Sequence, residues 1–267
     1  MSPGLLSAAD LHFGYAAGLP VLNGVSLRVG SGEVVALLGA NGGGKSTLLK
    51  LLLGFLRPSR GEVCLDGRSL HGRPLREIAR RVAYVPQSQG MPFPYRVYDL
   101  VALARIPFGG LFKRLRPRDR EAVAAALDRL DIAPLANRIY TELSGGQRQL
   151  CRIACALAQE ARTIVMDEPV SGLDYGNQWR LLALIRELAA EGRGIILSSH
   201  HPDHVLNAAS RALLLHQGRI IADGAPESVV TPAHIRRLYD LEVDRHPLPD
   251  GLLTLVPRIA ETELRHA

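Results

Sequence analysis

Apolar residues recur along the chain in short continuous runs: Val34-Val35-Ala36-Leu37-Leu38, Val82-Ala83-Tyr84-Val85, Thr163-Ile164-Val165-Met166 and Gly194-Ile195-Ile196-Leu197. Runs of this length, closed by polar or turn residues, predict buried strands of an α/β core. Between them the period changes to that of helices. Leu150, Ile153, Ala154, Leu157 and Ala158 mark one helix over Arg148–Ala158, and Leu181, Leu182, Ile185 and Leu188 mark another over Gln178–Ala190. Leu5–Tyr15 and Val21–Val29 predict a small antiparallel sheet, and Gly61–Gly67 reads as a strand closing in a turn. From Gly90 to Leu143 the texture is helical, with Met91-Pro92-Phe93-Pro94 as a loop and helices over Val97–Ala104 and Arg118–Leu130, which predicts a helical lobe inserted in the core. Leu213–Gln217 and Arg219–Asp223, hinged at Gly218, predict a closing hairpin, and Pro226–Leu238 a helix. The tail from Leu241, with Pro247, Pro249 and Gly251, carries no clear period.

One strand-to-helix junction carries chemistry. Gly39-Ala40-Asn41-Gly42-Gly43-Gly44-Lys45-Ser46-Thr47 lies between the apolar run at Val34 and the helix over Ser46–Leu53. Glycines allow successive N–H groups to turn inward, and with the helix N-terminus they form a phosphate cradle. Lys45 adds a positive charge and Ser46 a hydroxyl for Mg²⁺, which completes a nucleoside triphosphate site.

Composition narrows the class. With 267 residues and 47% hydrophobic residues, the chain buries one substantial core. The net charge of +6 comes from arginine, since Lys45, Lys50 and Lys113 are the only lysines, and aromatics at 5% give few stacking platforms for single-stranded nucleic acid. No nucleic-acid partner is expected. Cys64, Cys151 and Cys155 make no even disulfide framework, and Cys151 and Cys155 read as small buried residues in a reducing compartment. No apolar run approaches the ~20 residues that cross a bilayer, so a soluble protein is expected, with any membrane role borrowed from a partner. The basic run Lys113–Arg120 reads as a solvated face, or else as a contact for lipid headgroups or a partner.

Further candidates sit at strand ends and helix starts. Asp167 and Glu168 end an apolar strand where parallel sheets place ligands, Asp167 suited to the Mg²⁺ shell and Glu168 to polarising a water for attack on phosphorus. Leu143-Ser144-Gly145-Gly146-Gln147 opens a helix and offers a second anion site. Gln87 follows a strand and could reach a metal or a water, and Tyr15 reads either as a platform for adenine or as an ordinary strand end. His200 and His204 have the spacing of helical zinc ligands, but Pro202 lies between them, so His200 reads better as a donor to a phosphate oxygen.

Taken in order, Tyr15, the glycine loop, Gln87, Leu143–Gln147, Asp167-Glu168, Asp174 and His200 resemble the ATP-binding subunit of ABC transporters over roughly Leu5–Asp223. The resemblance implies a P-loop ATPase core with an N-terminal antiparallel β-subdomain and an inserted helical subdomain. It places the ATPase domain at 1–240, the helical part at about 90–160 and a C-terminal tail at 241–267. ATP and Mg²⁺ are the implied ligands. Tyr15 would stack on adenine, Gln87 sense Mg²⁺ and water, and Ser144, Gly145, Gly146 and Gln147 contact the γ-phosphate held by a second copy. Asp167, Glu168 and His200 would serve as Mg²⁺ ligand, general base and γ-phosphate switch, and Asp174 would cross the dimer interface. Val170 stands where threonine or serine is expected.

Phe93-Pro94-Tyr95-Arg96-Val97, Asp174-Tyr175-Gly176-Asn177-Gln178 and His200-His201-Pro202-Asp203-His204 look like subunits for iron-chelate, haem and cobalamin uptake. An importer ATPase for an iron(III)-siderophore is the leading expectation, with haem, cobalamin or molybdate as alternatives. Its implied partners are a second copy, integral membrane permease subunits and, indirectly, a substrate-binding protein, with the chain peripheral at the cytoplasmic face of the inner membrane. An exporter subunit, or a soluble ABC ATPase acting on DNA or ribosomes, is the rival class. This sequence shows neither the coiled-coil or zinc insertions nor the tandem cassettes that such soluble ATPases usually carry, and the uptake-like motifs argue against an exporter.

Overall fold

A computed structural model describes residues 5–15, 18–87, 93–109, 114–248 and 253–258. Met91 and Pro92 of the expected loop, Lys113, and residues 249–252 and 259–267 of the C-terminal tail lie outside those residues. The chain runs through β1 (Leu6–Phe13), β2 (Leu22–Val29), β3 (Val34–Leu38), α1 (Lys45–Leu52), β4 (Arg60–Leu65) and β5 (Arg68–Ser69). It continues with α2 (Leu75–Ala79), β6 (Val82–Val85), α3 (Val97–Leu103), α4 (Ile106–Gly109), α5 (Pro117–Arg129) and α6 (Gly145–Ala158). Then come β7 (Thr163–Met166), α7 (Tyr175–Ala190), β8 (Gly194–Ser199), α8 (Pro202–Ala208), β9 (Arg211–His216) and β10 (Arg219–Gly224). The last elements are α9 (Pro226–Val229), α10 (Pro232–Tyr239), β11 (Val243–Pro247) and β12 (Leu253–Pro257).

The central sheet has the order β10-β9-β3-β8-β7-β6 and is parallel except for β10. Every residue of β3, β7 and β8 is buried, which is why these strands read as unbroken apolar runs rather than alternations. Their side chains divide between two cores. Val34, Ala36 and Leu38 face the core shared with α7, α8 and α10, while Val35 and Leu37 face a second core that holds the leucines of α1. That second core is closed by the antiparallel sheet β2-β1-β4-β5. The Asn23 amide donates to the Gly218 carbonyl at 2.9 Å and ties the two sheets together. A third core, with Val97, Val101, Val123, Leu127, Cys151 and Ala154, belongs to the helical lobe of α3, α5 and α6.

Three expectations change. The helix over Pro226–Leu238 is two helices, because Pro232 supplies no N–H to continue the first and instead opens the second behind the Thr231 cap. The segment from Leu241 is not without pattern: β11 and β12 form an antiparallel hairpin whose Val243 and Leu255 are buried in the core of the central sheet. Pro202 does not exclude a helix around His204, since it occupies the first turn of α8. Among the described residues no group of three or more His, Cys, Asp or Glu could hold a metal ion, and no helix is long and apolar enough to cross a membrane.

Candidate functional site

The loop Gly39–Thr47 joins β3 to α1 at the C-terminal edge of the parallel strands. Gly44 caps α1 with φ +99, and a Cβ there would lie 2.9 Å from Leu22 Cδ2, so the turn needs glycine twice over. A side chain at Gly39 would collide with the Leu215 carbonyl. Lys45 is buried and its Nζ donates to the carbonyls of Gly39 at 2.7 Å and Ala40 at 3.1 Å. Burial holds its pKa below the usual lysine range, and the charges of Glu168 and Asp167 partly offset that. The loop thus curls around an ammonium that no carboxylate among the described residues pairs with directly, which suits an anion.

Tyr15 is 62% exposed, packs edge-on against Phe13 at 5.0 Å and bonds Thr47 Oγ1 at 3.2 Å. Its ring stands open beside the first turn of α1, and a planar base could lie on it. Asp167 and Glu168 follow β7. Asp167 is buried and accepts from Ser198 Oγ at 2.6 Å, while the same hydroxyl accepts from the Glu168 amide at 2.9 Å. Glu168 has φ +46, a left-handed conformation costing about 1–2 kcal/mol outside glycine. Its carboxylate accepts from Gln87 Nε2 at 2.6 Å and lies 3.1 Å from His200 Nδ1, a close approach without hydrogen-bond alignment. Gln87, Glu168 and His200, far apart in sequence, therefore converge.

Ser46 in the first turn of α1, Asp167 after β7 and Gln87 after β6 each offer a hard oxygen donor. Ser198 engages one Asp167 oxygen, and the Gln87 NH₂ is spent on Glu168, which leaves oxygen atoms for a cation. Such a set fits Mg²⁺.

Ser144–Gln147 are placed differently. Their polar groups close on one another as a capping box: the Gln147 amide donates to Ser144 Oγ at 3.3 Å, and the Ser144 amide donates to Gln147 Oε1 at 3.1 Å. Gly145 and Gly146 abut the turn at Gly172 rather than the loop at Gly39–Thr47. Asp174 caps α7 by accepting from the Asn177 amide at 2.9 Å and side chain at 2.6 Å, and these bonds hold its carboxyl below the usual range.

Four residues escaped the sequence reading. Ser198 fixes the Asp167-Glu168 pair, Gln149 donates to the Pro169 carbonyl at 2.6 Å, and Arg152 donates to the Gln87 carbonyl at 3.0 Å. Tyr239, from α10, buries its hydroxyl beside the Gly39 backbone, and burial and then the Glu168 charge push the phenol up. None carries a local sequence signal, because each acts on a partner many residues away.

A phosphate loop at the edge of a parallel sheet, with a carboxylate pair and a helical lobe beside it, defines a P-loop ATPase. The chain matches the ABC transporter family model over residues 22–171 and is a member of that family, an ATP-hydrolysing protein that uses ATP and Mg²⁺. It is 40% identical over 251 residues to a hemin import ATP-binding protein of Bordetella pertussis, covering 89% of this chain and 94% of that one. A hemin import ATP-binding protein of Streptomyces coelicolor is 38% identical over 258 residues, 96% of this chain and 91% of that one. A solved ABC transporter described as metal-chelate type, in an inward-facing conformation, superposes with TM-score 0.84 at 32% identity over 98% of this chain and 100% of that chain.

Proposed function

We propose that this chain is the ATPase subunit of an importer for a metal chelate, and that the chelate is haem. The observation that carries the cargo is the near end-to-end similarity to proteins named for hemin import. The iron(III)-siderophore expected first from the motifs gives way to haem, which stood among the alternatives. The subunit works as two copies against membrane permease subunits fed by a substrate-binding protein, at the cytoplasmic face of the membrane.

In this reading Gly39–Thr47 wrap the triphosphate, Lys45 neutralises its outer oxygens and Tyr15 stacks on the adenine. Ser46, Asp167 and Gln87 hold Mg²⁺, which neutralises phosphate charge. Glu168 takes the proton of the attacking water, held in place by Gln87 on one side and His200 on the other. His200 also holds a γ-phosphate oxygen. Ser144–Gln147 and Asp174 serve the second copy's nucleotide, which explains why their polar groups lie away from their own chain's loop. Gln87 connects hydrolysis to the helical lobe, because Arg152 of α6 grips its carbonyl while its amide holds Glu168.

Co-expression with its permease and reconstitution in proteoliposomes tests the cargo. ATP-dependent, saturable uptake of haem is expected. Uptake of a ferric siderophore with none of haem would sink the haem assignment.

A further inference from the structure

A cavity of about 790 Å³ lies between α7, α8 and the β11–β12 hairpin, apart from the triphosphate loop. Leu182, Pro202 and Leu253 supply apolar walls, and rings supply the rest. Trp179 stands edge-on to His204 at 5.5 Å, His204 is 4.7 Å from His201, and His201 is 4.1 Å from His200. A file of rings therefore leads from the cavity to the side chain that touches Glu168. His201 and Gln178 line both this cavity and a smaller one that holds Glu168 and His200.

The lining separates this cavity from a packing gap: Trp179, His201 and His204 put rings beside apolar walls, and Arg186 lies on the same wall, exposed, with no ion pair among the described residues. A flat apolar ring system with acid groups meets the rings, the leucines and the arginine together. The volume is that of a drug-sized or larger ligand rather than of a single ring. His201 reaches solvent at one edge while its neighbours partly desolvate its ring, and that desolvation, then the nearby His200, holds its pKa below the usual range, so it offers a neutral nitrogen to a metal.

We propose that this cavity is a regulatory site for a metal tetrapyrrole bearing carboxylates, with Trp179 against its ring, His201 on the metal and Arg186 on an acid group. Ligation draws His201 off His200, loosens the His200–Glu168 contact and slows hydrolysis, so delivered cargo restrains its own import. The identity of the ligand rests on the haem reading above, while the need for a flat anionic ligand rests on the cavity.

Trp179 is the only tryptophan, so haemin added to the full chain is read by quenching of one fluorophore and by the Soret band. Saturable binding of one haemin per chain is expected, weakened about tenfold or more by Arg186→Glu and by Ala183→Phe, which fills the cavity from an exposed position. His201→Ala should move the Soret band of bound haemin and leave binding of metal-free protoporphyrin as it was. In the assembled transporter, ATPase activity should fall over the same haemin range, and Ala183→Phe should abolish that inhibition. Binding that does not saturate, or that ignores both cavity variants, overturns the site. Saturable binding without inhibition overturns the regulation, and equal inhibition by metal-free protoporphyrin overturns the role of His201. Haem uptake by a transporter whose ATPase chain binds no haemin defeats this proposal and leaves the import reading standing. Haemin binding here in a transporter that imports no haem does the reverse.

Discussion

Glu168 combines features that seldom occur together: a left-handed backbone in a non-glycine residue, a buried carboxylate, and two side chains against that carboxylate, one of them hydrogen-bonded to it. Strain of this kind persists only where the surroundings hold it, and here the Ser198 hydroxyl on the Glu168 amide does so. Glu168→Gln keeps shape and removes the proposed proton acceptor. Hydrolysis is expected to fall by about 10²- to 10⁴-fold with ATP affinity little changed, measured by phosphate release beside nucleotide binding. An unchanged rate would remove Glu168 as the base. His204 makes a pH prediction. Burial, and then the neighbouring His201, lower its pKa to about 4, against about 6.5 in an unfolded chain. A neutral buried imidazole contributes stability that is complete above the unfolded value and is lost as pH falls from about 6.5 toward about 4. Asp203 opposes this shift and His200 adds to it. Denaturant melts across that window should show a slope approaching about 1.4 kcal/mol per pH unit from this group, and His204→Phe should lose it.

Among the elements, the helical lobe depends on one buried ion pair. Arg105, between α3 and α4, donates to Asp119 of α5 at 2.9 Å and to the Ala158 carbonyl at the end of α6 at 2.7 Å, so one guanidinium fastens three helices. Burial pushes the Asp119 carboxyl up, but the Arg105 and Arg116 hydrogen bonds outweigh it and the net shift is downward. Arg105→Ala leaves that carboxylate buried without its partner. A loss of about 3–5 kcal/mol is expected, read from urea unfolding, and a loss under 1 kcal/mol would show that the lobe does not rest on this pair. The basic run that read as a solvated face is partly engaged: Arg116 and Asp119 cap α5, and Arg118 approaches Glu160 at 3.7 Å. Periodicity placed α3, α5, α6 and α7 to within a few residues, because each buries an apolar stripe. It missed the β11–β12 hairpin, whose strands bury few side chains and show the weak pattern of an edge element.

For the whole molecule, the proposed reading makes the site half a site. The triphosphate loop, Asp167 and Glu168 belong to one copy, while Ser144–Gln147 are turned to their own cap and to Gly172. Hydrolysis should rise more steeply than linearly with protein concentration in dilute solution, whereas ATP binding should not. A strictly linear rate, with sedimentation showing monomer throughout, would contradict the shared site.

The contiguous motifs were legible because a phosphate cradle is made by neighbours in sequence: Gly39–Thr47 supply their own N–H groups, Lys45 its own charge, and β3 and α1 the strand and helix around them. Asp167-Glu168 and Ser144–Gln147 stand out in the sequence for the same reason, each being a run of neighbours at a strand end or a helix start. The convergence of Gln87 and His200 on Glu168, the Ser198 clasp, the Arg152–Gln87 link and the ring-lined cavity under β12 were decided by the tertiary structure. Those contacts span tens of residues, up to 81 between Gln87 and Glu168, and depend on strand order in the parallel sheet. Local pattern fixes which residues form a strand, but which strand ends meet is set by how the two cores pack on either side of the sheet.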